Sequence, residues 1–307
     1  MLELTVVDNM NKWQTLKTLV LDSVSSPITR AIYNMSLDEF VAWHALEPRR
    51  GFTRATVNAW RVSLELRKLS SSSINVRLPA VRKLALEALQ NGFREPALAS
   101  GIVSISGVKK LGVRTGQWLS RQQSQALLSA PDVSTMKGLR DCAILAVLLG
   151  CGLRRSEVVA LTIDQIQQRE GRWCIIDLSG KRGRIRTVPV PTWVKVAIDV
   201  WQSAAGLTGG RVFRSINRGG FTCGEGLSEK AIWQLVQIYS KAAGLPRLVP
   251  HDCRRSCAKL CLATGGELDQ IQMLLGHASI VTTEIYLGRK QDLLHAPNDG
   301  IKLKVAT

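Results

Sequence analysis

Tyrosine and histidine are scarce in this 307-residue chain, with three of one and four of the other. Chemistry that depends on either has few places to reside. Long apolar runs are absent too. None approaches the roughly 20 residues that cross a bilayer, and the start, MLELTVVDNMNKW, lacks the basic-then-apolar pattern of a secretory signal. The expectation is a cytoplasmic protein with no membrane partner. The seven cysteines are odd in number and contain no Cys-x-x-Cys pair, which argues against a disulfide framework or a structural zinc site. Cys253, Cys257 and Cys261 recur every four residues and read as small core residues, so no metal site is expected. No carboxylate cluster demands a two-metal centre, and no cofactor is called for. Internal repeats and low-complexity tails are missing.

Acidic residues are also in deficit: 24 Asp and Glu stand against 41 Lys and Arg, a net charge of +17. Residues 1–110 carry 15 basic against 9 acidic side chains, and residues 111–307 carry 26 against 15. Both halves are basic, so a polyanion can be gripped from two sides. The length suits two domains.

The pattern divides at a Gly-rich basic stretch, GIVSISGVKKLGVRTGQW, giving an N-terminal domain over 1–104, a linker over 105–118, a second domain over 119–288 and a tail over 289–307. The first domain reads as a helical bundle. Its apolar stripes lie in Thr29–Trp43, with Ser36 capping a second segment, then from Thr53, from Ser72 or Ser73, and in a short Glu95–Ala99 helix. Pro79 is expected to bend its helix. Arg54, Arg61, Arg77, Arg82 and Lys83 are interspersed with the core positions. With Lys109 and Lys110 of the linker they read as contacts to a polyanion backbone, and a plain solvated face would look similar.

The second domain opens with a helix over Leu119–Ala130 and a buried apolar helix, KGLRDCAILAVLL. After GCG a helix restarts at LRRSEVVAL, with Arg154 in its first turn, where its planar fork and nearby backbone donors can hold an anion. Glu157, three residues on, reads either as an orienting partner for the arginines or as an N-terminal-turn charge. RWCIIDL and RIRTVPV flank SGKRG as a hairpin, with Lys181 at the turn and Arg182, Arg184 and Arg186 as backbone contacts. The last stretch is HDCRRSCAKLCLATGGELDQIQMLLGHASIVTTEIY. Here His251 and Arg254 share one helix face, His277 follows Gly276, and Tyr286 comes nine residues later. Imidazoles, an arginine fork and a tyrosine suit a phosphate site with a covalent nucleophile. Tyr239 lies in an apolar helical stripe and Tyr33 in the other domain, so Tyr286 is the preferred nucleophile.

The set Arg154 in GLRRSE, Lys181 on a hairpin, His251-x-x-Arg254, Gly276-His277 and Tyr286 resembles the tyrosine recombinases, the phage-integrase family. The resemblance covers the second domain throughout and the first more weakly. It implies a mainly α fold with a small β-sheet: a helical core-binding domain, and a mixed α/β catalytic domain that breaks and rejoins DNA. It further implies double-stranded DNA with specific recombination sites as partner. Strand exchange would pass through a 3′-phosphotyrosyl link and a Holliday junction, in a homotetramer on two duplexes that is a monomer when free. Many family members carry histidine after the motif arginine, where this chain has Arg255. That departure favours integration and excision of a mobile element over replicon-dimer resolution. The terminal IKLKV then reads as a strand docking on a neighbouring protomer, or as a frayed end. Two rival readings share the motif: a type IB topoisomerase-like enzyme, and a DNA-binding protein that has lost activity.

Overall fold

The computed structural model describes residues 13–46, 51–93, 95–109, 117–180 and 183–288. The chain divides into two compact units, Met1–Val113 and Arg114–Thr307. The fold is mainly helical with small antiparallel sheets, as expected for this class.

In the first unit, residues 13–22 (α1), Pro27–Ala45 (α2), Arg54–Leu66 (α3), Ser71–Gln90 (α4) and Pro96–Val103 (α5) are helical. Leu37, Phe40, Val57, Trp60, Leu64, Leu78, Val81 and Leu84 meet in one core, each fully buried leucine or valine contributing about 1.5–3 kcal/mol. Thr53 and Ser70 cap α3 and α4 by accepting from the backbone three residues on. Two local expectations fail, the first being the cap of α4, which is Ser70 where Ser72 or Ser73 is expected. Ser36 caps nothing: it is buried inside one continuous α2 and donates back to the Ile32 carbonyl at 2.7 Å. Pro79 lies inside α4, which continues through it.

The segment after α5 lies strapped against this bundle. Arg82 donates to the Ile105 carbonyl, and Arg61 reaches that of Ser106 at 3.5 Å. Asn75 acts as a surrogate strand toward Val108, donating to its carbonyl at 2.9 Å and accepting from its N–H at 2.8 Å. Ser71 donates to the Lys109 carbonyl at 3.3 Å. Gly107 makes room, since a Cβ there would sit 2.5 Å from Asn75 Oδ1.

These bonds change the reading of the basic residues. Arg77 pairs with Glu39 at 2.7 Å, as does Arg67, and Lys83 pairs with Glu87 at 2.8 Å. Arg61, Arg77, Arg82 and Lys83 are half-buried with partners inside the unit, whereas Arg54 and Lys109 are exposed. Lys110 lies outside the described residues.

The second unit is built around Met136–Gly150 (α7), whose run Ala143–Leu149 is buried on all sides, as an all-round apolar helix must be. Arg121–Leu128 (α6), Arg155–Ala160 (α8), Thr192–Ala204 (α9), Glu229–Ala242 (α10) and Pro250–Ala263 (α11) pack on it. Ile166–Arg169 (β1), Arg172–Ser179 (β2) and Ile185–Pro189 (β3) form an antiparallel sheet in that order. The β2–β3 hairpin matches expectation, and β1 is an addition. Ser215–Ile216 (β4) and Thr222–Cys223 (β5) make a second small hairpin. Leu268–Leu275 (α12) and Ile280–Leu287 (α13) close the described chain. Tyr239 has a structural role, donating to Asp141 at 2.9 Å.

Candidate active site

The end of α7, the hairpin, α11 and the α12–α13 corner converge on one carboxylate. Glu157 is 3 % exposed. Arg186 on β3 grips it with two parallel bonds, both 2.9 Å, a geometry only a guanidinium supplies. Arg154 donates to it twice, from Nη1 at 2.6 Å and from its own backbone N–H at 2.8 Å. Arg254 lies 4.0 Å away. Burial alone would raise the Glu157 carboxyl, but the bonds from Arg186 and Arg154 hold it below its ordinary value. Both of its sequence readings meet here, since it lies in the first turn of its helix and also holds two arginines. Arg154 is the residue before α8, not in its first turn, and its backbone donor is taken by Glu157.

Arg254 is 1 % exposed. It donates to the carbonyls of Gly152, at 2.5 Å, and Leu275, so both ends of its planar group are fixed. Burial, then the like charge of Arg154, lowers its ionisation to about 10, still charged at neutral pH. Arg186, read from the sequence as a backbone-phosphate contact, instead turns inward. Besides Glu157 it donates to the Leu274 carbonyl at 3.1 Å. Gly276 permits this approach: its φ is +62°, and a Cβ would stand 2.8 Å from Arg186 Cδ.

Tyr286 on α13 sits among three side chains. Its ring meets those of His251 and His277 edge-on, each at 5.2 Å between centroids, and Arg255 lies over its face at 4.8 Å. The phenol donates to the backbone carbonyl of His251 at 3.2 Å, not to its imidazole. Burial pushes the phenol up to about 12, against the pull of Arg254 and Arg255. His277 Nδ1 lies 3.0 Å from Thr283 Oγ1. Burial, then Arg254 and Arg154, lowers His277 to about 4. His251, though exposed as a residue, is lowered by desolvation of its ring and by Arg255 and Arg254. Both imidazoles are therefore neutral at pH 7.

The structure thus brings together Arg154, Glu157, His251, Arg254, His277 and Tyr286. Lys181 and Arg182 lie outside the described residues. Gly180 beside them is close to the cluster, since a Cβ there would be 3.5 Å from Arg154 Nη1. Arg184 is exposed. Cys253 and Cys257 are buried and Cys261 half-buried. Among the described residues no three His, Cys, Asp or Glu gather as metal ligands, and no helix is long and apolar enough to cross a membrane.

A profile of the phage integrase family matches residues 117–292, more than half of the chain. The chain belongs to the phage integrase family. Among curated proteins it is similar to the tyrosine recombinase XerD of Pseudomonas putida, 31% identical over 290 residues that cover 89% of this chain and 90% of the relative. Its likeness to XerD of Pseudomonas aeruginosa is 30% identity, covering 91% and 93%. Among solved structures, a lambda integrase(75–356) dimer bound to a COC′ core site shares the fold. It has a TM-score of 0.69 and 16% identity, over 93% of this chain and 98% of that one. XerH bound to palindromic difH in a post-cleavage complex gives 0.66 and 19%, over 84% and 76%.

Sequence reasoning about this integrase-family site missed two residues. Thr283 is buried and faces His277; its signal was its spacing, three residues before Tyr286 on one helix face. Arg186 was noticed but given to DNA, because nothing local in RIRTVPV says which arginine turns inward.

Proposed function

We propose that this protein is a site-specific DNA recombinase that cuts and rejoins DNA through a 3′-phosphotyrosyl intermediate. The observation that carries the reading is the placement of the Tyr286 phenol against His251, beside His277 and the fixed guanidinium of Arg254. Arg154 and Arg254 neutralise the nonbridging oxygens of the scissile phosphate as charge builds on them. The Tyr286 oxygen leaves the His251 carbonyl and attacks phosphorus, and the neutral His251 imidazole takes its proton. The bond to the 5′ oxygen breaks, and Lys181 supplies the proton for that leaving group. With Thr283 donating to Nδ1, His277 carries its own proton at Nε2 and offers it to a phosphate oxygen. The phosphotyrosyl bond keeps the energy of the phosphodiester, so rejoining needs no nucleotide. Glu157 holds the two clamping arginines in register.

The partner is duplex DNA gripped by both basic units. We assign the assembly to four protomers on two duplexes; the lambda integrase fragment that shares the fold is a dimer on a core site. The test is covalent trapping on nicked suicide duplexes drawn from DNA flanking the gene, run with a chelator present. The expected result is an adduct stable to denaturing gel electrophoresis and lost in Tyr286→Phe. Binding without an adduct, across both strands and several nick positions, would replace this reading with that of an inactive DNA-binding protein. Strand exchange between duplexes separates a recombinase from an enzyme that only relaxes supercoils. Reaction at the two ends of a mobile element, rather than at one chromosomal site, would assign the role to integration and excision.

A further inference from the structure

Arg255 has no part in the mechanism above, yet it touches the nucleophile. Its guanidinium carbon stands 4.8 Å from the centroid of the Tyr286 ring. The side chain is 16% exposed and is steadied by Asp252, with Nη1 3.9 Å from Oδ1. Its Nε–H is buried and has no hydrogen-bond partner among the described residues. Folds rarely leave a buried donor unpaired without a reason. Here the bond forgone at Nε accompanies a stack on an aromatic face, where a desolvated cation–π contact is strongest.

We propose that Arg255 is a positioning residue for Tyr286, holding the phenol ring by stacking on its face and supplying a fixed positive charge beside the nucleophile. The inference rests on Tyr286 being the nucleophile. The two histidines meet the ring edge-on and are neutral at pH 7, so neither supplies this charge. Arg254 also supplies charge, and more strongly, but both ends of its fork are tied to the carbonyls of Gly152 and Leu275. Of these two cations, Arg255 is the one that lies over the ring. Burial raises the Tyr286 phenol, and Arg255 is the second of the two cations that oppose it. The same charge lowers His251 and so keeps that imidazole free to accept a proton. A histidine at position 255 would be largely neutral at pH 7, and a lysine would lack the planar face. The groups facing the phenol are His251, Asp252, Arg254, Arg255 and Cys257 from α11, and His277 from the corner after α12.

The test has two arms on the full chain. In the first, 3,5-difluorotyrosine is placed at position 286 and its fluorine resonance is titrated in the wild-type, Arg255→Gln and Arg255→Lys backgrounds. In the second, the same Arg255 variants with natural Tyr286 are assayed for adduct formation on the nicked duplex across pH. The glutamine variant is expected to show about tenfold less phenolate at a given pH and about tenfold slower adduct formation on the acid limb. The lysine variant is expected to restore much of the titration but not the resonance position of a ring under a planar stack. An unchanged titration in the glutamine variant overturns the inference, as does a changed titration with an unchanged adduct rate. If the wild-type protein forms no adduct on any duplex, the recombinase reading fails instead. The fluorine arm then still decides whether Arg255 governs the Tyr286 ring.

Discussion

Glu157 shows how much one buried side chain can organise. Two arginines donate to it and a third lies within 4.0 Å, so its charge is the counterweight to a cluster that would otherwise repel itself. Replacing it with glutamine keeps the volume and removes that counterweight. The expected loss in chemical denaturation at neutral pH is about 3–5 kcal/mol. The pH dependence follows by sign. The folded-state Glu157 carboxyl lies below its ordinary value of 4.5, so its contribution is present above that value and is lost as pH falls through the folded one. His277 moves from 6.5 to about 4. The unfolded chain therefore takes up the His277 proton first, and this contribution is present above 6.5 and lost between 6.5 and about 4. Stability should thus fall in two stages on acidification. His277→Gln should reduce the upper stage to the part that the lowered His251 contributes, and Glu157→Gln should reduce the lower one, as read from denaturation midpoints across pH.

The α12–α13 corner illustrates what an element can demand of one position. Gly276 ends α12 in a left-handed conformation that costs other residues roughly 1–2 kcal/mol, and a methyl group there would also collide with Arg186. Gly276→Ala is expected to lower stability by about 2 kcal/mol and to slow adduct formation as well, because Arg186 would release its grip on Glu157. A loss of stability with full activity would refute that coupling. The glycine stop and the helix before it were readable in the sequence, as were the Thr53 cap, the buried run of α7 and the hairpin, because each rests on local periodicity or turn chemistry. Other features rest on distant partners. The strand β1, Ile166-Gln-Gln-Arg169, is too short and polar to announce itself and exists by pairing with β2. Ser36 has the composition of a cap, but α2 continues through it because Leu37 and Phe40 belong to the core. Which arginine grips Glu157 depends on a bulge in β2 near Asp177, which adopts φ 51°, and no alternation rule supplies that register.

Across the whole molecule, net charge overstates the surface free to meet DNA. Several arginines of the first unit are committed to Glu39 and to the strap over residues 105–109. Exposed and internally paired cations should therefore separate in a salt titration of DNA affinity. Arg54→Ala and Lys109→Ala should each reduce the slope of log affinity against log salt by about one. Arg77→Ala should leave the slope unchanged and instead lower the melting temperature. Equal slope changes for all three would mean that the Glu39 pair opens on DNA.

The strap also governs how the protein lets go of its partner. Lys109 is pinned within the first unit through its carbonyl by Ser71, and Leu119 within the second by a 2.8 Å bond to Ser256. On the proposed grip by both units, a duplex released by one would still be held close by the other, because the two are one chain. By fixing residues 105–109 to the first unit, Asn75 and its neighbours would then act on residence time more than on the affinity of either unit alone.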